Sequence, residues 1–279
     1  MKKIATNLTL DSFAIDDDSN KNLESTNLKN PSEISSICWN LGNPSIDRAK
    51  KQVAWLITQH FDLLLLTECK KSEGCLFIER YFQNFGYHVV FPKPENNEYG
   101  VMIVSKLKPE LSNFSKFMTS LSERVISVKI PMSEKQIEII LTYIPSRNAT
   151  EEKKAKKKQF LENLLSCFEK DPENYNRIFC GDFNILEPSH DPHYPFFEKW
   201  EYDFYSKLSD FNMKDIYRHF SPTAKEYSWV GRTDDGYRYD HFFASSDLIP
   251  KIIECKYFHE PRLNRLSDHS AILCKMKSL

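Results

Sequence analysis

The chain has 279 residues, of which 41% are hydrophobic and 13% aromatic, and its formal net charge is −1. This length and apolar content are compatible with one large α/β domain, and the near-neutral charge argues against a strongly basic protein that coats DNA. No window approaches the roughly 18 apolar residues of a membrane span, and the dispersed cysteines form no C-x-x-C pair, which predicts no membrane partner, no zinc site and buried free thiols in the cytoplasm.

The N-terminal third of the chain begins with a polar stretch. Residues 1–33 are rich in Asn and Ser, which predicts an arm outside a folded domain of residues 34–279. Ile34 to Trp39 predicts the first strand, and Asn40 follows it in a turn cluster, where by itself it is best interpreted as a turn residue. Ser45 to Phe61 has apolar residues at helical spacing and predicts a helix.

A second strand precedes an acidic residue. Phe61 to Leu66 is a continuous Leu-rich run, typical of a strand covered on both faces. Glu68 follows it, at a buried strand's end, where charge is costly unless it is paired or binds a metal. An ordinary solvated glutamate, neutralised by Lys70 and Lys71, is the alternative.

The middle of the chain predicts a helix, then four strands, then a further helix. The helix is Cys75–Phe85, and the strands are Tyr87–Phe91, Tyr99–Ser105, Arg124–Ile130 and Ile137–Ile144. Tyr143 stands at the end of the last strand, where core packing is the simplest interpretation. The lysine-rich run of residues 153–158 precedes helically spaced apolar residues, which favours a solvated helix face over a specific nucleic-acid patch.

The most informative stretch is Arg177 to Ile185, an apolar strand that leads into Gly181-Asp182-Phe183-Asn184. Residues two apart on a strand point to the same face, so a carboxylate and an amide emerge together where ligands bind in α/β sheets. That pair suits activation of water beside an anionic group. Ordinary turn chemistry is the alternative, because Gly, Asp and Asn all favour turns.

The remaining segment contains a histidine-rich loop, a helix and a hairpin. His190, Asp191 and His193 could bind a metal, but no helix fixes their spacing, so loop composition is the preferred explanation. A helix is predicted over Phe196–Phe211, and the Asp-Gly pair at 235–236 predicts a hairpin. In its second arm Asp240 is predicted mid-strand, where a charge needs a partner.

The last two predicted strands are Lys251–Phe258 and Ala271–Cys274, and Ser267-Asp268-His269 precedes the second of them. Four acids thus lie near strand ends or in strands, with a histidine beside one of them. Such oxygen ligands suit Mg²⁺ or Mn²⁺, and a histidine held by a carboxylate can contact a phosphoryl oxygen as the imidazolium. The residues alone therefore predict a metal-dependent phosphoesterase with no particular substrate.

Six short motifs occur in the order found in the endonuclease/exonuclease/phosphatase superfamily, which the chain resembles from about residue 35 to its last residue. They are Trp39-Asn40, Leu66-Thr67-Glu68, Tyr143-Ile144-Pro145, Gly181-Asp182-Phe183-Asn184, Tyr239-Asp240 and Ser267-Asp268-His269. The resemblance implies that family's fold, a four-layer α/β sandwich with two mixed β-sheets packed face to face and helices outside. It also implies Mg²⁺ or Mn²⁺ as the cofactor.

The resemblance implies a role for each motif residue. The roles are metal ligation by Glu68, Asp268 and Asn40, water activation by Asp182 with Asn184 beside it, and phosphate contact by His269 oriented by Asp240. Tyr143 resembles the tyrosine of the exonuclease III and abasic-site endonuclease branch. In that branch Trp229, Arg232 and Arg238 are expected to contact nucleic acid, with core packing the equal alternative for Trp229.

Two positions depart from the family's pattern. Gly42 stands where relatives often carry an acid or an asparagine that helps the metal site, which puts a second metal in doubt. Ser146 stands where relatives commonly carry Asn or Gln, so the usual contact of that loop with DNA cannot be assumed.

The sequence leaves three alternative functions to consider. The first is a monomeric nuclease that hydrolyses DNA, at abasic sites or 3′ ends. The second is a phosphomonoesterase that acts on a phosphorylated lipid or small molecule with the same site. The third is an inactive member that only binds nucleic acid, against which the intact acids and His269 argue.

Overall fold

Two six-stranded β-sheets form the centre of the molecule, for which the computed structural model describes residues 32–133, 135–147, 150–172 and 176–279. The predicted N-terminal arm lies outside the described residues, apart from Ser32 and Glu33. Glu33 already belongs to the first strand, and the backbone carbonyl of Ser32 accepts a hydrogen bond from the N–H of Ser278 at 2.8 Å.

The first sheet joins the two ends of the domain. With strands numbered along the chain, it contains β1 (Glu33–Asn40), β2 (Leu63–Cys69), β3 (His88–Val90), β4 (Gly100–Ser105), β13 (Ile252–Phe258) and β14 (Ala271–Lys277), in the spatial order β13-β14-β1-β2-β4-β3. β1 and β2 run parallel, and the other neighbours run antiparallel. The sheet is therefore mixed.

The second sheet has the same mixed pattern. It contains β5 (Glu110–Leu111), β6 (Val125–Pro131), β7 (Gln136–Tyr143), β8 (Arg177–Asp182), β9 (Met213–Asp215) and β12 (Asp240–Ser245), in the order β5-β6-β7-β8-β12-β9. β7 and β8 are parallel, and the others are antiparallel. A separate ribbon pairs β10 (Trp229–Val230) with β11 (Gly236–Tyr237). The predicted hairpin arm is thus divided between this ribbon and β12.

Helices cover the outer face of each sheet, and side chains alternate along the strands accordingly. The helices are α1 (Ile46–Leu56), α2 (Glu73–Asn84), α3 (Glu151–Lys170), α4 (Lys199–Lys207) and two short ones, α5 (Ile216–Phe220) and α6 (Glu260–Leu263). On β2, Leu63 and Leu65 enter the core between the sheets, whereas Leu64 and Leu66 pack with the side chains of α1 and α2. On the second sheet, Phe179 packs with α3 and α4. The four-layer α/β sandwich is confirmed.

Several element boundaries differ from those that the sequence predicts. The helix predicted to begin at Ser45 starts at Ile46, because the Ser45 hydroxyl accepts from the backbone N–H of Arg48 and caps it, and it ends at Leu56. The lysine run belongs to α3, but Lys157 in it is buried, so the prediction of a solvated helix face is wrong at that residue.

Two further expectations concern thiols and membranes. All seven cysteines are free and buried, as predicted. None of the helices in the part of the chain that the structure describes is long and apolar enough to cross a membrane.

Candidate active site

The predicted site residues meet at one edge of the sandwich because of how the strands run. β1 and β2 are parallel, so Asn40 and Glu68 come to the same edge. β7 and β8 are also parallel, and Tyr143 pairs with Asp182 in register. β12 runs antiparallel to β8 and begins with Asp240 directly opposite Asp182, which corrects the prediction of a mid-strand position.

The side-chain amide of Asn40 connects acidic groups from the two sheets. Its Nδ2 donates hydrogen bonds to Oε2 of Glu68 at 2.9 Å and to Oδ2 of Asp182 at 2.8 Å. Its Oδ1 accepts from the backbone N–H of Gly42 at 2.8 Å. Asn40 is fully buried at the end of β1, so it holds the two carboxylates at a fixed separation. Ligation of a metal by its amide oxygen stays a prediction.

Glu68 lies in an irregular part of β2. The register with β4 shifts between Leu66 and Cys69, and Glu68 has a positive φ of 55°. A non-glycine residue in the left-handed region costs free energy and is held there by its surroundings. Lys70 and Lys71 do not neutralise this carboxylate, because they bind the side chains of Asn97 and Glu95.

His269 is held by two acids from the second sheet. Its Nδ1 lies 2.7 Å from Oδ2 of Asp240, and its Nε2 lies 3.9 Å from Oδ2 of Asp182. Burial alone would lower the pKa of His269, but Asp240 and Asp182 outweigh it and raise the pKa to about 10. The ring is therefore an imidazolium at neutral pH, a form that can donate to an anionic oxygen.

Asp182 is buried and well oriented. Its Oδ1 accepts from the backbone N–H of Asn184 at 2.9 Å, while Oδ2 accepts from Asn40. Burial raises the pKa of Asp182 to about 7, and Asp240 adds to this effect while His269 opposes it. A carboxylate with this pKa can accept a proton near neutral pH.

Asn184 supports the site mainly through its backbone. It has a positive φ of 50°, and its Nδ2 donates to the carbonyl of Ile144 at 3.0 Å. The side chain is therefore tied to the segment after Tyr143. Its predicted role in positioning water and phosphate stays a prediction.

Tyr143 stands beside the acids as a neutral phenol. Its ring is buried, with the Arg124 guanidinium 4.8 Å and the Tyr99 ring 5.7 Å from its centre. Burial, followed by the charges of Glu68 and Asp182, raises the pKa of Tyr143 well above its ordinary value. The phenol keeps its proton and can serve as a hydrogen-bond donor.

Asp268 and Trp229 form the exposed side of the site. The indole Nε1 of Trp229 donates to Oδ2 of the exposed Asp268 at 3.0 Å, and Trp229 forms an isolated β-bridge with His269. The half-buried indole also lies 5.4 Å from the Tyr237 ring and 6.1 Å from the Tyr239 ring. Trp229 thus belongs to an aromatic wall beside the acids.

Two groups of residues could hold a metal ion. Asp182, Asp240 and His269 offer ligand atoms that all lie within 4.8 Å of one another. A ligating imidazole must be neutral, however, whereas Asp240 binds Nδ1 of His269 and helps raise the pKa of the ring, which favours the imidazolium. Glu68 and Asp268 are less buried, and their oxygens are the donors that hard divalent cations prefer. The donor chemistry of Glu68 and Asp268 suits a hard cation, and their ligation of a metal stays a prediction.

The prediction that Arg238 contacts nucleic acid is wrong, because its guanidinium is fully buried. Its Nε and Nη2 donate to Glu187 at 3.1 and 2.8 Å, and Nη2 also donates to Asp215 at 2.7 Å. Arg238 therefore neutralises two acids beneath the hairpin. Arg232 is exposed in the hairpin turn, so its predicted contact with substrate stays a prediction.

The histidine-rich loop is not a metal site. His190 uses both ring nitrogens, Nδ1 with the carbonyl of Pro192 at 2.9 Å and Nε2 with the backbone N–H of Arg238 at 3.3 Å. Asp191 pairs with Lys225, and His193 stacks on Tyr202. The metal interpretation of this loop is therefore wrong.

Two serines support the site, although the sequence predicts no role for either of them. Ser267 Oγ donates to the backbone carbonyl of Asn40 at 2.6 Å. Ser228 Oγ accepts from the backbone N–H groups of Tyr239 and Asp240 at 2.9 and 3.1 Å. Each fixes the backbone beside a charged group.

Known proteins are similar to this chain over most of its length. The model of the endonuclease/exonuclease/phosphatase family matches residues 37–269. Exodeoxyribonuclease III of Haemophilus influenzae is 25% identical over 242 residues, which are 77% of this chain and 90% of that protein.

Solved structures are also similar to this chain. An AP endonuclease from Archaeoglobus fulgidus is 27% identical with a TM-score of 0.72, covering 86% of this chain and 98% of its own. The 3′ phosphatase NExo from Neisseria, bound to a product DNA hairpin, shares the fold at 22% identity and a TM-score of 0.73, covering 88% and 99% of the two chains.

Proposed function

The chain belongs to the endonuclease/exonuclease/phosphatase family and is an enzyme that hydrolyses phosphoester bonds, and from this premise we propose that it is a nuclease that cleaves DNA with Mg²⁺ or Mn²⁺. The observation that carries the proposal is the buried arrangement of Asp182 beside the His269–Asp240 pair. It provides a proton acceptor and a proton donor within one site.

The chain's own residues account for activation of the water. Asp182 accepts a proton from the attacking water, because its pKa of about 7 leaves it partly ionised at neutral pH. Asn40 and the backbone N–H of Asn184 fix the direction of its lone pairs.

Two side chains can donate hydrogen bonds to the phosphoryl group that the water attacks. The His269 imidazolium, oriented by Asp240, donates to a phosphoryl oxygen, and the Tyr143 phenol is a second donor nearby. Both are in the required protonation state before the substrate arrives.

Glu68 and Asp268, with Asn40 beside them, would hold the divalent cation. When bound, the cation supplies positive charge that neutralises the phosphate and stabilises the departing oxygen. Gly42 offers no further ligand next to Asn40, which supports one metal ion rather than two.

The choice of DNA is supported by the relatives at 25% and 27% identity, an exodeoxyribonuclease and an AP endonuclease. Tyr143, which this branch shares, and the aromatic wall of Trp229, Tyr237 and Tyr239 agree with it, because such rings stack on bases and sugars. We further propose a monomer located in the cytoplasm.

The test is an incubation of the purified protein with Mg²⁺, with and without a chelator. The substrates are supercoiled plasmid, a duplex with one abasic site, a duplex with a 3′ overhang, and RNA. Asp182→Asn and His269→Gln are the matched variants, each expected to lose at least about 100-fold in rate.

Each outcome assigns the protein to a branch. Chelator-sensitive cleavage of DNA that both variants lose supports the proposal, and the fastest substrate identifies the preferred one. If every DNA stays intact while phosphate is released from an inositol phosphate or a nucleotide, the nuclease proposal fails and a phosphomonoesterase takes its place.

A further inference from the structure

A buried lysine of α3 lies directly behind the Asp182–Asn184 segment. The Lys157 side chain is 1% exposed, and its Nζ donates to the backbone carbonyl of Asn184 at 2.6 Å and to Oε1 of Glu201 at 2.6 Å. Its neighbour Lys158 is exposed on the same helix. Lys157 therefore differs from the surrounding lysines in its contacts as well as in its burial.

Glu201 connects this lysine to a second cation. Its side chain is fully buried at the start of α4, and its Oε2 accepts from Nη2 and Nε of Arg147 at 2.7 and 3.0 Å. The Arg147 guanidinium lies 4.3 Å from the centre of the Phe196 ring. We call Lys157, Glu201 and Arg147 the ion cluster. It joins α3 and α4 to the loop that follows Tyr143.

The ion cluster is not the simplest way to stabilise this region. Two cations and one carboxylate have been removed from water, and apolar side chains of similar volume often stabilise a protein as well or better. Burial lowers the pKa of Lys157, while Glu201 opposes this effect. The cluster's particular feature is the strong donor that it supplies to one backbone carbonyl.

That carbonyl belongs to the residue that orients the proton acceptor. Asn184 has left-handed backbone, its N–H donates to Asp182, and its side chain donates to the carbonyl of Ile144. Left-handed backbone at a non-glycine residue persists only when its surroundings hold it. Lys157 provides such a contact through the Asn184 carbonyl.

We propose that Lys157, fixed by Glu201 and Arg147, is a positioning residue that holds Asn184 and thereby aims the Asp182 carboxylate at the attacking water. The inference rests on the proposed function for its catalytic consequence. Its structural part, that Lys157 restrains the Asp182–Leu186 segment, stands independently. A misplacement of about 1 Å at a reacting group can cost about 100-fold in rate.

The test compares Lys157→Met with Lys158→Met, the same change at an exposed position of the same helix. On a duplex with an abasic site, Lys157→Met is expected to lower kcat about 10- to 100-fold and to change KM less than about threefold. Lys158→Met is expected to match the wild type. Lys157→Arg, which keeps charge and donors, is expected to recover part of kcat.

Hydrogen exchange provides a readout that does not depend on activity. In Lys157→Met, amides of Asp182–Leu186 are expected to exchange faster, while those of β1 and β7 keep the wild-type rate. Should Lys157→Met not fold, Arg147→Met replaces it, with the same direction of change in kcat and exchange.

The inference is overturned if kcat equals that of Lys158→Met, if exchange in Asp182–Leu186 is unchanged, or if exchange rises equally throughout the domain. The last result would mean general destabilisation. A wild-type protein without nuclease activity would instead contradict the proposed function, and the exchange measurement would still decide whether Lys157 restrains this segment.

Discussion

His269 lies just before β14 of the first sheet, Asp240 begins β12 of the second sheet, and their side chains meet at 2.7 Å between Nδ1 and Oδ2. Asp240 is the largest of the charges that raise the pKa of His269. Oδ1 of Asp240 is buried without a hydrogen-bond partner among the described residues, so the carboxylate is committed to the histidine. The pair therefore sets both the direction and the charge of the ring.

Asp240→Asn is expected to lower kcat by about 100- to 10,000-fold, because a neutral amide neither favours the imidazolium nor fixes its tautomer. Steady-state kinetics on the preferred DNA substrate would measure the loss. An unchanged urea unfolding curve would show that the fold is intact. A variant that keeps half of the wild-type kcat would mean that Asp240 does not orient the catalytic ring.

The pH dependence of kcat/KM follows from two shifted groups. Asp182 must be ionised to accept a proton, so the rate is expected to rise through about pH 7, where this carboxyl titrates. His269 must be protonated to donate, so the rate is expected to fall near pH 10. In Asp240→Asn the alkaline limb should move to lower pH. A profile that is flat from about pH 5 to 9 would contradict the assignment of Asp182, and a rate that does not fall above about pH 10 would contradict that of His269.

Glu68→Gln is expected to weaken binding of Mn²⁺ at least about tenfold, since it removes a charged ligand but keeps an oxygen that can accept from Asn40. Isothermal titration calorimetry would measure the affinity without any substrate. Asp191→Asn is the matched control, because this acid is exposed and pairs with Lys225. Equal affinities in the two variants would place the metal elsewhere.

Arg238→Met is expected to destabilise the fold by about 3–5 kcal/mol, because it leaves the buried acids Glu187 and Asp215 without their shared cation. Arg232→Ala, at the exposed turn, should change stability by less than about 0.5 kcal/mol. Urea unfolding monitored by circular dichroism would compare them. A stable Arg238→Met protein with weaker DNA binding would restore the substrate role that its burial argues against.

The fold and the acids of the site were predictable because their signals are local. The Leu-rich run before Glu68 and the apolar run before Asp182 mark buried strands, and a charge just after such a strand stands out. The remaining predicted site residues came from the order of the six short motifs along the chain.

Arg238 and Lys157 were misjudged because their partners are distant in the sequence. Arg238 lies 51 residues from Glu187, and Lys157 lies 44 residues from Glu201. A charged side chain in a hairpin or a lysine-rich helix has the same local pattern whether it faces water or a buried acid. Only the packing of the layers distinguishes these cases.

The division of the reacting groups between the two sheets has a mechanical consequence. Asn40 and Glu68 belong to the first sheet and His269 lies just before its strand β14, whereas Asp182, Asp240 and Tyr143 belong to the second sheet. Among the described residues no strand ladder joins the two sheets, so the alignment depends on the apolar interface, in which Leu65 and Ile139 take part, and on side-chain contacts such as that of Asn40 with Asp182. A slide of one sheet over the other by a single residue would leave each sheet intact yet separate Asn40 from Asp182. The catalytic rate therefore depends on the relative position of the two sheets, even when each sheet is itself fully formed.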